Sequence, residues 1–60
     1  MYEVRVIQLS GETYFWAIRE AEKIIATSEL IGEKSLVETE AESISHQLGL
    51  GGTIIIEERT

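Results

Sequence analysis

Between Trp16 and Ser28 the chain reads WAIREAEKIIATS, and how this stretch folds decides the fold class. Read with a period of two, Tyr14, Trp16 and Ile18 fall on one face of a strand from Thr13 to Arg19. Lys23 to Ser28 then forms a second strand, with Ile24 and Ala26 on one face and Ile25 and Thr27 on the other. Read with a period of 3.6, Ala17, Ala21, Ile24 and Ser28 line one side of a single helix from about Thr13 to Leu30. Arg19 to Lys23, REAEK, consists of good helix formers. Tyr-Phe-Trp and Ile-Ile-Ala-Thr are aromatic and β-branched runs that suit a pleated, half-buried surface. The strand reading prevails, with a turn at Glu20-Ala21-Glu22.

The flanking segments fit that choice. Tyr2 to Leu9 alternates, with Tyr2, Val4 and Val6 on one side and Glu3 and Arg5 on the other, and Ser10-Gly11-Glu12 closes a hairpin. Ser35 and Glu38 have the spacing of a capping box, in which the hydroxyl accepts from an N–H three residues on and the carboxylate reaches back. Val37, Ala41, Ile44 and Leu48 then form an apolar stripe, with Glu38, Glu42 and His46 opposite. Gly49 suits a left-handed stop, and Leu50 the apolar contact that accompanies one. After Gly51-Gly52, Thr53 to Glu58 reads as a last strand. The expected fold is α+β: a three-stranded antiparallel meander, one helix packed on one face, and a fourth C-terminal strand parallel to the first or third (β-β-β-α-β).

Residues 1–60 make a single small α+β domain whose core is marginal, because a chain of 60 residues buries only about 60% of its unfolded surface. Such domains usually need a disulfide, a metal or a partner subunit. With no Cys, disulfides and thiolate metal sites are excluded, and a partner subunit is the remaining staple. The formal net charge is −6, and all 11 acidic residues are Glu. That charge disfavours nucleic acid and anionic membrane surfaces. It suits a basic protein partner. No apolar run approaches the roughly 20 residues of a membrane span, and MYEVRVIQL lacks the pattern of a signal peptide. The expected location is cytoplasmic.

The run WAIREAEKIIATSE, followed by Glu33-Lys34-Ser35 and the helix with Glu40-Ala41-Glu42-Ser43-Ile44, resembles the YegP-like small domains, a family of unknown function. The resemblance covers roughly Tyr14 to Leu48, with Thr27-Ser28-Glu29 as its best-matching step. It implies strands rather than a helix over Trp16–Ser28, and it supplies no catalytic residue. Members often turn on Asn-Gly where this chain has Ala21-Glu22, and carry Tyr where it has Leu30-Ile31-Gly32. They often occur as tandem copies, and here there is one. The topology also resembles small acidic antitoxins of the HicB type, whose characteristic turn motifs are missing.

Each candidate for chemistry has a plainer explanation. Glu38, Glu42 and His46 stand at successive i, i+4 positions, but a metal needs three or four converging ligands with supporting hydrogen bonds. A solvated helix face accounts for them. Gly49-Leu50-Gly51-Gly52 leaves a helix C-terminus, where carbonyls point outward, whereas phosphate loops lead into a helix N-terminus. With one His and no Asp, the serines have no triad partners. Tyr14, Phe15 and Trp16 alternate faces on a strand, so they cannot form one base-stacking platform. No catalytic residue, cofactor or metal is therefore expected.

The sheet faces are more informative. Setting Val6 opposite Trp16 and Val4 opposite Ile18 places Val4, Val6, Trp16, Ile18, Ile24, Ala26, Ile54 and Ile56 beneath the helix. The same register pairs Glu3 with Arg19. Ile7, Leu9, Phe15, Ala17, Ile25 and Ile55 are then left on the opposite face, where an antiparallel sheet normally presents polar residues. The last strand, apolar on both faces, suits a covered position better than a free edge. Ile7, Phe15, Ala17, Ile25 and Ile55 are the candidate interaction residues. The expected protein is a non-enzymatic interaction module that self-associates as a homodimer. The alternative is an acidic inhibitor or antitoxin-like protein that binds a basic protein partner.

Overall fold

The computed structural model describes residues 1–59 and places Trp16–Ser28 in two strands. In chain order the elements are β1 (Tyr2–Ser10), β2 (Thr13–Glu20), β3 (Lys23–Thr27), α1 (Lys34–Gln47) and β4 (Ile55–Glu57). The chain has the expected β-β-β-α-β layout. The sheet order is β3-β2-β1-β4; β1, β2 and β3 pair antiparallel, and β4 runs parallel to β1. The hairpin register pairs Val6 with Trp16, Val4 with Ile18 and Glu3 with Arg19, as the alternation predicts.

Strands prevail over the rival helix because the hairpin aligns Tyr14, Trp16 and Ile18 beside Val4 and Val6. A helix lying on that face then closes the core. Val4, Val6, Tyr14, Val37 and Ala41 are buried together, and Trp16, Ile18, Ile44, Leu48, Leu50 and Ile54 pack around them. The turn linking β2 to β3 holds Ala21 at φ 51° and Glu22 at φ 68°. Two positive-φ residues flanked by the Glu20–Lys23 pair make a two-residue type I′ hairpin loop, a conformation that Asn-Gly normally occupies.

The helix starts two residues earlier than a Ser35 cap requires. Glu33 is the N-cap: its carbonyl accepts the Val37 N–H at 3.1 Å, and no side chain caps the helix. The expected capping box is therefore absent. The earlier start also lets the Lys34 ammonium reach the Glu58 carboxylate. Ser35 instead offers its carbonyl to the Thr39 hydroxyl at 2.9 Å.

The C-terminus of α1 follows the glycine signal. Gly49 has φ 78°, its N–H donates to the His46 carbonyl, and the Leu50 N–H donates back to the Ser45 carbonyl. Those two bonds are the Schellman pattern. Leu50 and Ile44 both pack on the core, as its apolar contact requires. The fully buried Ser45 donates from its hydroxyl to the Thr53 carbonyl at 2.7 Å, tying the return segment to the helix.

Two expectations about the sheet are overturned. The last strand is three residues long, not six, and it forms an outer edge beside β1 rather than a covered strand. In addition, α1 packs on β1 and β2 but not on β3 or β4. Ile24, Ala26 and Ile56 are therefore exposed instead of lying under the helix. The reason is geometric: one 14-residue helix, held against the central hairpin by Val37 and Ala41, cannot reach both edges of a four-stranded sheet.

Candidate interaction surface

The side of the sheet away from α1 is built by the odd-numbered residues of β1 and β2. Ile7 pairs with Phe15 at its centre, Arg5 with Ala17 in the next row, and Glu3 with Arg19 beyond that. β4 adds Ile55 beside Arg5 and Glu57 beside Ile7. Of the five candidate residues, Ala17 is fully buried and Ile7 is 8% exposed. Phe15 is half-buried, and Ile25 and Ile55 are exposed. The centre of the face is thus closed within one chain, and its apolar exposure moves outward to the strands that flank the central hairpin.

An ionic chain closes part of it. Arg5 Nε donates to Glu3 Oε1, and Arg5 Nη1 donates to Glu57 Oε1 at 2.9 Å; Arg19 approaches Glu3 at 3.9 Å. The hydrogen bond from Arg5, reinforced by the positive charges of Arg5 and Arg19, holds the Glu3 carboxyl below its ordinary range despite the opposing effect of burial. The same bond raises the Arg5 guanidinium, with Glu57 assisting. Long arginine stems cover apolar surface while their heads stay in ion pairs. The stems of Arg5 and Arg19 therefore interrupt what the sequence pattern suggests is a continuous apolar face.

The largest departure lies at β3. Its pairing with β2 slips between Ile18 and Arg19: Ile18 faces Ala26, but Arg19 faces Ile24, which leaves Ile25 as the extra residue of a β-bulge. Directly paired residues share a face. Ile24 therefore joins Arg19 on the side away from the helix, where strict alternation does not put it. Ile24 is 53% exposed and Ile25 48%. Every residue of β3 is exposed, although β3 belongs to a hydrogen-bonded sheet.

The chain continues along the outer side of β2 after β3 ends. The Ser28 N–H donates to the Trp16 carbonyl at 2.9 Å, while the Trp16 N–H donates to the Ser28 hydroxyl at 3.0 Å. Ser28 in turn donates to the Leu30 carbonyl. Gly32 and Tyr14 exchange both backbone bonds, at 2.7 and 3.0 Å. Glu29, Leu30 and Ile31 loop outward between these anchors and are exposed.

Three functional or structural positions escape a period-two reading. Ile24 is one, because a bulge has no signature in KIIAT. Ser28 is another, although the Thr27-Ser28-Glu29 step marks the place. Gln8 is the third: it is buried, donates to the Gly11 carbonyl at 2.6 Å and accepts the Arg59 N–H at 2.7 Å. A polar residue at an even position of β1 is the signal that pointed to it.

The polar clusters are dispersed. Glu42 and His46 are exposed on α1, and Glu38 is half-buried. The His46 ring lies over Gly52, so close that a Cβ there would sit 2.8 Å from Nε2. Among the described residues no three His, Asp or Glu side chains converge as metal ligands. No helix among the described residues is long and apolar enough to cross a membrane. Tyr14 and Trp16 face α1, with Trp16 Nε1 donating to Glu40, while Phe15 takes the opposite side. A mostly apolar groove of about 340 Å³ runs between the start of β1 and the return segment, with Val4, Leu50, Thr53 and Ile55 in its walls. Tyr2 and Glu3 line it as well, and the Glu3 carboxylate there accepts from Arg5.

No family model matches this chain, and no curated protein or solved structure does either.

Proposed function

We propose that this chain is a protein-interaction module without a catalytic role, which associates with a second copy of itself through the side of the sheet that α1 leaves bare. The observation that carries this reading is the exposure of Ile24 and Ile25, with Phe15 half-buried on the same sheet side and Ile55 exposed at the other edge. Exposed apolar clusters on small domains mark contact surfaces, and a Cys-free chain of 60 residues has few other sources of stability. The YegP-like resemblance belongs to this proposal as a statement about architecture. So does a cytoplasmic location, with which the absence of Cys is compatible.

One observation favours a second reading, capture of a basic protein partner. Among the described residues, Arg5, Arg19 and Lys34 are in ion pairs with Glu, and the exposed carboxylates in none, such as Glu12, Glu22, Glu29, Glu33 and Glu42, outnumber the exposed cations in none, Lys23 and Arg59. Ionic strength separates the readings, since apolar association survives salt and charge-driven capture weakens.

Light scattering at micromolar concentration tests the first reading. The mass should exceed the monomer's 6.7 kDa in high salt, and Phe15→Glu should lower it or unfold the chain. A stable monomer whose mass and melting temperature ignore Phe15→Glu refutes the face as a contact surface.

A further inference from the structure

Resting on that self-association reading, we infer that the contact is made by the outer edge of β3, paired antiparallel with β3 of a second copy about a two-fold axis. The backbone groups of β3 point both toward β2 and away from it. Glu20 and Lys23 flank a two-residue type I′ loop, so they hydrogen-bond to each other. Hydrogen-bonding and non-hydrogen-bonding pairs alternate along an antiparallel ladder. The Ile24 N–H and C=O therefore turn away from β2. At the other end the Ser28 N–H donates inward to Trp16, so those of Thr27 turn outward as well. Both residues pair with residues of the bare side, Arg19 and Ala17, so both side chains lie on that side.

The spacing of these groups selects the partner. In an ordinary strand, outward-turned residues recur every second position. Here Ile24 and Thr27 are three apart, because the bulge at Ile25 adds a residue. A regular extended peptide cannot meet both. A second copy of the same edge, run antiparallel, meets both: Ile24 faces the second copy's Thr27, Thr27 faces its Ile24, and the two bulges lie together on the axis. Lys23 then comes opposite Ser28 of the other copy, one residue from Glu29. Lys23 and Glu29 are exposed and form no ion pair among the described residues. A parallel arrangement would instead bring the two Lys23 side chains together.

Lysine and a bulge on an edge usually discourage strand pairing. Here they discriminate, admitting one register and one orientation. The opposite edge, β4, has only three residues, so head-to-tail growth of an open sheet is disfavoured and the assembly closes at two.

The test is sedimentation equilibrium of the intact chain from micromolar to millimolar concentration, with amide hydrogen exchange read at both ends of that range. The expected result is a monomer–dimer equilibrium in which the Ile24 and Thr27 amides gain protection as dimer forms. Thr27→Pro removes an outward N–H without touching the β2 ladder and should abolish the dimer. Lys23→Glu should weaken it by about 10-fold, and adding Glu29→Lys should restore it. Because Lys23→Glu changes only an exposed side chain, the test stands even if Thr27→Pro fails to fold. A dimer that ignores both Lys23→Glu and Thr27→Pro but is lost in Phe15→Glu overturns edge pairing while leaving self-association intact. A native chain that stays monomeric at millimolar concentration overturns both.

Discussion

The turn between β2 and β3 offers the sharpest test of the fold, because its residues contradict its geometry. Ala21 and Glu22 both have positive φ, at 51° and 68°. For an L-residue with a Cβ this conformation costs roughly 1–2 kcal/mol, while Asn tolerates it and Gly adopts it freely. Replacing Ala21-Glu22 with Asn-Gly should remove most of that strain. Against this stands the greater backbone entropy that glycine loses on folding, roughly 0.5–1 kcal/mol. The balance is a gain of about 1–2 kcal/mol for Ala21→Asn/Glu22→Gly. In a domain of this size that raises the melting temperature by about 5–15 °C. The contact Arg19 makes with the turn goes to the Glu22 carbonyl and survives the exchange. Circular dichroism melts at one fixed protein concentration read the effect, with Ala21→Asn and Glu22→Gly measured separately. If the double variant is no more stable than the parent, the two residues do not occupy left-handed conformations and the Glu20–Lys23 register is wrong.

Three further outcomes follow from the helix ends and the ion pairs. Gly49→Ala should cost about 1–2 kcal/mol in a urea titration, since φ 78° closes the Schellman turn, and a neutral result would place the helix stop elsewhere. Ser35→Ala should change stability by no more than about 0.5 kcal/mol, because the side chain makes no cap; a loss of about 1 kcal/mol or more would show that the capping box forms after all. Glu3 titrates below its ordinary 4.5, so its contribution is complete above that pH and is lost as pH falls through the depressed value. Lys34 is raised above 10.5 by its hydrogen bond to Glu58, so its contribution is complete below that pH and disappears as pH rises through the raised value. Both groups are solvent-accessible, so 1 M salt should shrink both limbs, and Glu3→Gln should flatten the acid limb; an acid limb unchanged in Glu3→Gln would remove Glu3 as its source.

Much of the architecture was legible because several local signals agree. The register of the first hairpin follows from alternation and from the Glu3–Arg19 pair, both present in the structure. The helix stripe follows from Val37, Ala41, Ile44 and Leu48, and its end from Gly49 and Leu50. Where one local signal stood alone, tertiary geometry overrode it. Ser35-x-x-Glu38 has the spacing of a cap, yet the helix begins where Glu33 can accept from Val37 and Lys34 can meet Glu58. Ile54, Ile55 and Ile56 read as part of a buried strand, yet only Ile55–Glu57 pair, because β4 finds β1 on one side and nothing described on the other.

The candidate surface was legible only as a list of faces, and faces depend on parity. One inserted residue at Ile25 changes the parity of everything before it in β3, moving Ile24 from the helix side to the bare side. Nothing in KIIAT distinguishes a bulged strand from a regular one, since all five residues are tolerated in either. The sequence does contain an indirect trace. A turn built on Ala21-Glu22 rather than Asn-Gly forms against its own preference, so the strands it joins must be held by something else. On β2 that is the core beneath α1. β3 has no helix above it and no strand outside it, and its isoleucines are half in water. A strained turn leading into an uncovered apolar edge is stable only if β2 holds that edge unaided or if a second chain completes it. Concentration dependence of the β3 amides, set against that of the β1 amides, distinguishes these two cases. If β3 protection does not rise with concentration while the fold stays intact, β2 alone holds the edge.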